Sequence, residues 1–288
     1  MRLALGTAQF GLNYGIANQA GQVMRSEAQA MLQLAHLKGI DTLDTAIAYG
    51  ESETCLGEIG TQYFKVVTKL PIMPDDCLNV MEWVEDQINL SLKRLGANSL
   101  YAVLLHRPIQ LQQEKGQQLF QALQYLKSIG KTQKIGISIY APDELDALIP
   151  HYSFDLIQAP FNLVDRRLHT SGWLHRLKQQ GVEIHTRSAF LQGLLLMAPT
   201  AIPAKFLPWN QLWHTWHEWL LHQAISPLYA SLAFPLSFPE IDRVVVGADS
   251  VQQLEQIIQA SKVDLPRSFP EIFCSEENLI NPARWSYL

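Results

Sequence analysis

Residues Asp44–Glu53 read DTAIAYGESE. An acid closes the short apolar run DTLD (41–44), and a tyrosine follows five residues later, directly before a glycine. A carboxylate and a phenol at the lip of a strand raise the question of what sheet that strand belongs to. Similar runs recur along the chain: RLALG (2–6), KVVT (65–68), YAVLLH (101–106), KIGIS (134–138), DLIQA (155–159), VEIHT (182–186) and RVVVG (243–247). They are rich in Val, Ile and Leu without clean alternation, which is the pattern of strands covered on both faces.

Amphipathic stretches lie between these runs. SEAQAMLQLAHLKG (26–39) begins on Ser26, a suitable N-cap, and stops at Gly39. Its residues Ala30, Met31, Leu34, Ala35 and Leu37 roughly follow helical spacing. NVMEWVEDQINLSLKRLG (79–96), GQQLFQALQYLKSIG (116–130) and WLHRLKQQG (173–181) each end in glycine. Eight strands with intervening helices predict an α/β fold, a parallel eight-stranded (β/α)8 TIM barrel. A doubly wound open sheet is the alternative. Its usual first-crossover turn, Gly-x-Gly-x-x-Gly, does not occur here.

No Gly/Ser-rich or Pro-rich linker divides the chain, so residues 1–288 read as a single barrel domain. An irregular, Pro- and Trp-rich insertion around 194–227 breaks the rhythm. It reads either as an extra amphipathic helix, with Trp213, Trp216 and Leu220 on its core side, or as a lid over a pocket. His214 and His217 could share a helix face, but no third ligand stands at suitable spacing and no metal site is expected.

The bulk numbers narrow the function classes. A chain of 288 residues with 48% hydrophobic and 17% charged residues suits a globular protein with a sizeable core. A net charge of −5 gives no electrostatic reason to expect nucleic acid or an anionic membrane as partner. No apolar window of about 18 residues suggests a membrane span, and the opening MRLALGTAQFG lacks a signal-peptide pattern. Cys55, Cys77 and Cys274 are odd in number and widely spaced, fitting neither a disulfide framework nor a zinc site. The expectation is a reduced, cytoplasmic protein of open oligomeric state.

In a parallel barrel the chemistry gathers at the C-terminal ends of the strands. Asp44 ends the second strand, with Tyr49 in the loop beyond. Lys69 follows the third, and His106 closes the fourth. Adjacent strands lie about 4.8 Å apart, so these four side chains can converge. They suit carbonyl chemistry. A free tyrosine titrates near about 10, and a neighbouring ammonium favours phenolate. Lys69 is therefore expected to acidify Tyr49, Asp44 to hold the lysine, and His106 to orient a carbonyl oxygen.

DTAIAYGESETCLGEIG, with VVTKL and LLHRP, resembles the aldo-keto reductase family. GKTQKIGIS, LIQAPFNLVDRR, SAFLQGLLL and VVVGADSVQQLEQ follow in family order. The resemblance implies an eight-stranded barrel and reversible NAD(P)H-dependent reduction of aldehydes and ketones. Tyr49 would be the proton donor, Lys69 and Asp44 its tuning pair, and His106 the carbonyl orienter. Gly6, Thr7, Ser138, Gln158, Arg187, Ser188, Gly193, Gly247, Asp249, Ser250 and Gln253 would bind the cofactor, with Asn162 near the nicotinamide. Gln9, Phe10, Tyr14 and Tyr140 would rim the substrate site, whose ligand is a small-molecule carbonyl. LGTAQFGLNYGIAN is similar to members associated with bacterial surface-sugar synthesis, which points to a sugar-derived carbonyl. The alternative is a cofactor-binding barrel with a regulatory or binding role and little turnover.

The chain departs from the family pattern in three places. Ile139 stands where an asparagine often follows the serine, removing one cofactor hydrogen bond worth roughly 0.5–1.5 kcal/mol. Arg187 replaces a stacking aromatic. It would either disfavour the cationic, oxidised nicotinamide or turn toward a phosphate or substrate carboxylate. Ser250 and Gln253 form a capping-box pattern at a helix start able to receive a phosphate. Ser250 and Ile257 stand where NADPH-using members carry basic and amide groups, and Asp249 would repel the 2′-phosphate. NADP(H) is the family default, and NAD(H) is the alternative.

Overall fold

The eight apolar runs all become strands in the computed structural model, which describes residues 1–264, 266 and 268–287. They are β1 (Leu3–Gly6), β2 (Thr42–Asp44), β3 (Lys65–Leu70), β4 (Leu100–Leu105), β5 (Thr132–Ser138), β6 (Leu156–Pro160), β7 (Glu183–Arg187) and β8 (Arg243–Val246). Each pairs in parallel with its sequence neighbours, and β8 returns to β1 through Leu3↔Val244 and Leu5↔Val246, closing the barrel.

Strand periodicity sorts the side chains into two populations. Val66, Val103, Leu105 and Ile157 join the large core between sheet and helices. Val67, Ala102, Leu104 and Leu156 form a separate small cluster, the apolar plug of the barrel interior. Above that plug, at the C-terminal ends, the same inward parity is carried by polar residues: Lys69, His106 and Gln158. The plug seals the barrel from below and leaves its upper mouth as the place for polar chemistry.

The outer helices follow the expected stretches, with one shift. The helix Arg25–Leu37 begins before Ser26, and Met24 occupies its N-cap without a side-chain bond. Ser26 is therefore a helical residue rather than the cap. The helix Val80–Leu95 ends on Gly96, whose left-handed backbone closes it, and Asn79 caps its start by accepting from the Glu82 N–H.

The insertion folds as short 3-10 turns followed by the helix Asn210–Gln223. Trp213, Trp216 and Leu220 are buried on its inner face. The indole N–H groups are satisfied: Trp213 donates to the Phe206 carbonyl at 3.0 Å and Trp216 to the Leu195 carbonyl at 3.1 Å. The tryptophans therefore pack as core. Among the described residues, no helix is long and apolar enough to cross a membrane.

Glu53, the last residue of the opening stretch, ties helices to sheet behind the mouth. It is buried and accepts from Thr68 Oγ1 (2.7 Å), Ser91 Oγ (2.6 Å) and Arg94 Nε (2.8 Å). Removing it leaves the buried Thr68 and Ser91 hydroxyls without their acceptor and releases Arg94, whose side chain is partly exposed. Glu53→Ala is expected to cost roughly 1–3 kcal/mol for each hydroxyl left unpartnered. Urea denaturation of the variant against the parent measures this.

Candidate active site

The mouth of the barrel is organised around one buried ion pair. Lys69 is 1% exposed and Asp44 4%. Lys69 Nζ donates to Asp44 Oδ1 at 2.7 Å and to the Thr45 carbonyl at 2.9 Å. The second carboxylate oxygen accepts from Gln158 Nε2 at 2.6 Å, and Ser138 Oγ donates to Gln158 Oε1 at 3.2 Å. A chain of four side chains thus crosses the mouth from β3 to β2, β6 and β5.

Tyr49 is held in place by its own turn. Gly50 takes a left-handed backbone, φ +53°, and a Cβ there would lie 2.4 Å from the Gly11 carbonyl. A Cβ on Gly11 would lie 1.8 Å from the Tyr49 carbonyl, so the two backbones meet only because both residues are glycine. Next along, buried Ser52 donates to the Thr7 carbonyl at 2.8 Å and lies within hydrogen-bond distance of the Thr7 and Thr45 hydroxyls. The turn carrying Tyr49 is fastened to the end of β1. Its ring stands edge-on to His106, with centroids 5.8 Å apart at 82°, and Lys69 Nζ lies 5.2 Å from its centroid. Asp44, Tyr49, Lys69 and His106 therefore converge.

The electrostatics differ from expectation at Tyr49. Lys69 does not acidify the phenol. Burial, reinforced by the Asp44 charge, pushes it above the usual tyrosine range, and Arg187 pulls in the opposite direction. The reason is the direct contact with Asp44, which compensates the ammonium before its field reaches the ring. Burial also lowers Lys69, and Asp44 opposes that shift. His106 is driven down to about 3 by burial, then by Lys69, Arg187 and Arg107. The mouth thus holds a compensated ion pair, a protonated phenol and a neutral imidazole.

A cleft of about 410 Å³ runs from Asp44 and Tyr49 to the start of the helix Val251–Ala260. Of the residues implied for a cofactor, Gly6, Thr7, Arg187, Ser188, Gly193, Gly247, Asp249 and Gln253 line it. Ser138 and Gln158 lie behind it, fully buried in the Asp44 network. Asn162 is spent on structure: it accepts from the Val164 and Asp165 N–H groups and donates to the Ser188 carbonyl. Ser188 (φ +64°), Leu191 (+47°) and Gln192 (+53°) form a run of left-handed, non-glycine backbone along one wall. Such strain persists where the surroundings enforce it, often at ligand clamps.

On the substrate side, Gln9 and Tyr14 line the cleft. Phe10 does not; it is 1% exposed and belongs to the hydrophobic core. Residues Ala8–Gly11 form a helical turn, which rotates successive side chains by about 100° and sends Phe10 inward when Gln9 faces out. Tyr140 is half-buried, with the guanidinium carbons of Arg107 and Arg187 each 4.6 Å from its ring centroid. The role of Gln158 on Asp44, and the presence of Arg107 beside His106, were missed in the sequence. The LLHRP segment was the one available pointer to Arg107.

The helix Val251–Ala260 offers less to an anion than its sequence suggests. Val251 N–H already donates to Glu27 Oε1 at 2.6 Å, and Gln253 N–H to Ser250 Oγ at 3.2 Å. Gln253 Oε1 accepts from Asp249 N–H at 2.8 Å. Asp249 Oδ1 is buried without a partner, and burial pushes its carboxyl upward.

The aldo/keto reductase family model matches residues 2–272. The chain belongs to this family. Its members generally use nicotinamide cofactors. An uncharacterized oxidoreductase, YqkF of Bacillus subtilis strain 168, is 24% identical over 278 residues, covering 89% of this chain and 90% of its own. Two solved aldo-keto reductases share the barrel. AKR11C1 of Bacillus halodurans (holo form) superposes with a TM-score of 0.72 at 19% identity, covering 92% of this chain and 88% of its own. The putative aldo-keto reductase PA4992 of Pseudomonas aeruginosa gives 0.67 at 20% identity, covering 90% and 89%.

The depressed His106 pKa has a consequence for stability. An unfolded histidine titrates near about 6.5, so between that pH and about 3 the unfolded chain binds a proton that folded His106 refuses. Stability from this residue is intact above about 6.5 and falls as pH drops. His106→Asn is expected to lose less stability than the parent between pH 7 and 5, measured by urea denaturation at both.

Proposed function

We propose that this aldo/keto reductase reduces an aldehyde or ketone to an alcohol, with Tyr49 as proton donor. The convergence of Tyr49 and His106 beside the compensated Lys69–Asp44 pair carries this reading. A carbonyl oxygen seated between Tyr49 and His106 would meet two hydrogen-bond donors. The neutral imidazole donates one N–H and fixes the direction of the oxygen. The phenol, protonated throughout the neutral range, donates the other and transfers its proton as the oxygen becomes an alkoxide.

A reduced nicotinamide bound in the cleft would supply the hydride. As the carbonyl carbon is reduced, its oxygen would take the Tyr49 proton. Arg187 offsets the negative charge the phenol carries until solvent returns a proton. Asp44 keeps Lys69 in position, and Gln158 keeps Asp44 in position. The likeness of LGTAQFGLNYGIAN to members associated with surface-sugar synthesis supports a sugar-derived carbonyl.

The far end of the cleft favours NAD(H) over NADP(H). Thr7, Gly6 and Gly247 leave a floor of small side chains suited to the close approach of a dinucleotide. Two carboxylates, Glu27 and Asp249, stand at the helix start where a 2′-phosphate would otherwise find free N–H groups. The unpartnered Asp249 Oδ1 is instead an acceptor for a ribose hydroxyl, the arrangement other NAD-binding folds reach with an acid.

Two measurements check these readings. Tyr49→Phe is expected to lower kcat by about 10²–10⁴-fold while cofactor fluorescence on binding persists. Cofactor binding by the parent with no oxidation across a broad aldehyde panel would replace the reductase reading with a binding role. In fluorescence titrations, NADH is expected to bind more tightly than NADPH, and Asp249→Asn to narrow the gap. Tighter NADPH binding would remove the cofactor assignment.

A further inference from the structure

The mouth carries more cationic charge than the reduction itself requires. Among the described residues, nearly every arginine faces a carboxylate: Arg25, Arg94, Arg166, Arg167, Arg176, Arg243 and Arg284 all do. Arg2 is spent on the backbone carbonyls of Phe238, Ile241 and Leu236. Apart from Arg2, only Arg107 and Arg187 lack an acidic partner among the described residues, and both sit at the barrel mouth. They lie against the same ring, each guanidinium carbon 4.6 Å from the Tyr140 centroid.

The carboxylates nearby are already engaged. Asp44 is taken by Lys69 and Gln158, and Glu144 by the backbone N–H groups of Tyr140 and Ala141. Arg187 uses one N–H on the Ile139 carbonyl at 2.9 Å and another weakly on Ser188 Oγ at 3.4 Å, so most of its five donors stay free. Arg107 makes no side-chain hydrogen bond among the described residues. Tyr140 is itself fixed, its carbonyl accepting from Arg167 at 3.0 Å and its N–H bonded to Glu144. A planar guanidinium fork with free N–H groups can grip a carboxylate or phosphate with two bonds. In a chain of net charge −5, leaving two unpaired guanidiniums at one mouth concentrates positive potential there.

We propose that Arg107, Tyr140 and Arg187 form an anion clamp that selects carbonyl substrates bearing a carboxylate or phosphate group. This rests on the reductase reading for the reacting end of the substrate. Arg107 shares the Tyr140 ring with Arg187 and its charge reaches His106, so an anion held here lies on the His106 side of the mouth. Arg187 lines the same cleft as Tyr49. The clamp sets specificity and orientation; beyond the charge offset that Arg187 gives Tyr49, it takes no part in proton transfer.

The test compares matched probes: 4-formylbenzoate with its methyl ester, and glyceraldehyde 3-phosphate with glyceraldehyde. Turnover and calorimetric binding to the cofactor-loaded protein are both measured. The acid is expected to be favoured over the ester by about tenfold or more in kcat/KM, through a higher KM for the ester. That ratio should fall as salt is raised, collapse in Arg107→Ala and partly recover in Arg107→Lys. Preference for the aromatic acid but not for the sugar phosphate assigns the clamp to carboxylates; the reverse assigns it to phosphates. Equal treatment of anionic and neutral probes by the parent overturns the clamp, whatever the turnover. Binding of 4-formylbenzoate that is lost in Arg107→Ala, with no carbonyl reduced, sustains the clamp and overturns the reductase reading instead.

Discussion

The buried contact between Lys69 and Asp44 is the constraint on which the mouth depends. Taking two charges out of water costs several kcal/mol per ion, and mutual attraction offsets this only when the remaining hydrogen-bonding capacity is also met. Here it is. Gln158 takes the second carboxylate oxygen, and the Thr45 carbonyl takes a second ammonium proton. The pair therefore fixes the ends of β2, β3 and β6 relative to one another. The Ser52–Thr7 contact and the Gly11–Gly50 approach fix the Tyr49 turn to the same frame. The groups that face a substrate are consequently set by buried, satisfied contacts rather than by mobile side chains.

Compensation of that pair also decides what the neighbouring groups can do. A bare ammonium beside a phenol would make phenolate at neutral pH, a base. An ammonium already matched by a carboxylate leaves the phenol protonated, an acid. His106 is kept neutral by burial and by the surrounding cations, so it donates a hydrogen bond without adding charge. Charge then varies along the molecule's upper face: neutral pair and neutral donors at the centre, unpaired guanidiniums on one side, carboxylates at the start of the helix Val251–Ala260.

The barrel was legible because strands buried on both faces leave long apolar runs, and all eight appear near their expected places. The four converging residues were legible because strand ends in a parallel barrel face one way. Other features were not, for physical reasons. Phe10 looked like a rim residue because its neighbours are; only the helical turn at Ala8–Gly11 shows that it points inward. The acidity of Tyr49 was misjudged because sequence shows which charges can approach a group, not which are compensated first. The bond from Gln158 to Asp44 spans 114 positions, and no local pattern announces it. Glu27, read as part of an ordinary helix start, proves to cap a different helix altogether.

The central claim is that Tyr49 enters the reaction as a protonated phenol held by a compensated ion pair. Ultraviolet difference titration of the cofactor-free parent against Tyr49→Phe isolates the ionisation of this one tyrosine. The account predicts that its phenolate band emerges only above the ordinary tyrosine range, beyond about pH 10. A band emerging between pH 6 and 8 would contradict it and restore Lys69 as an acidifying group.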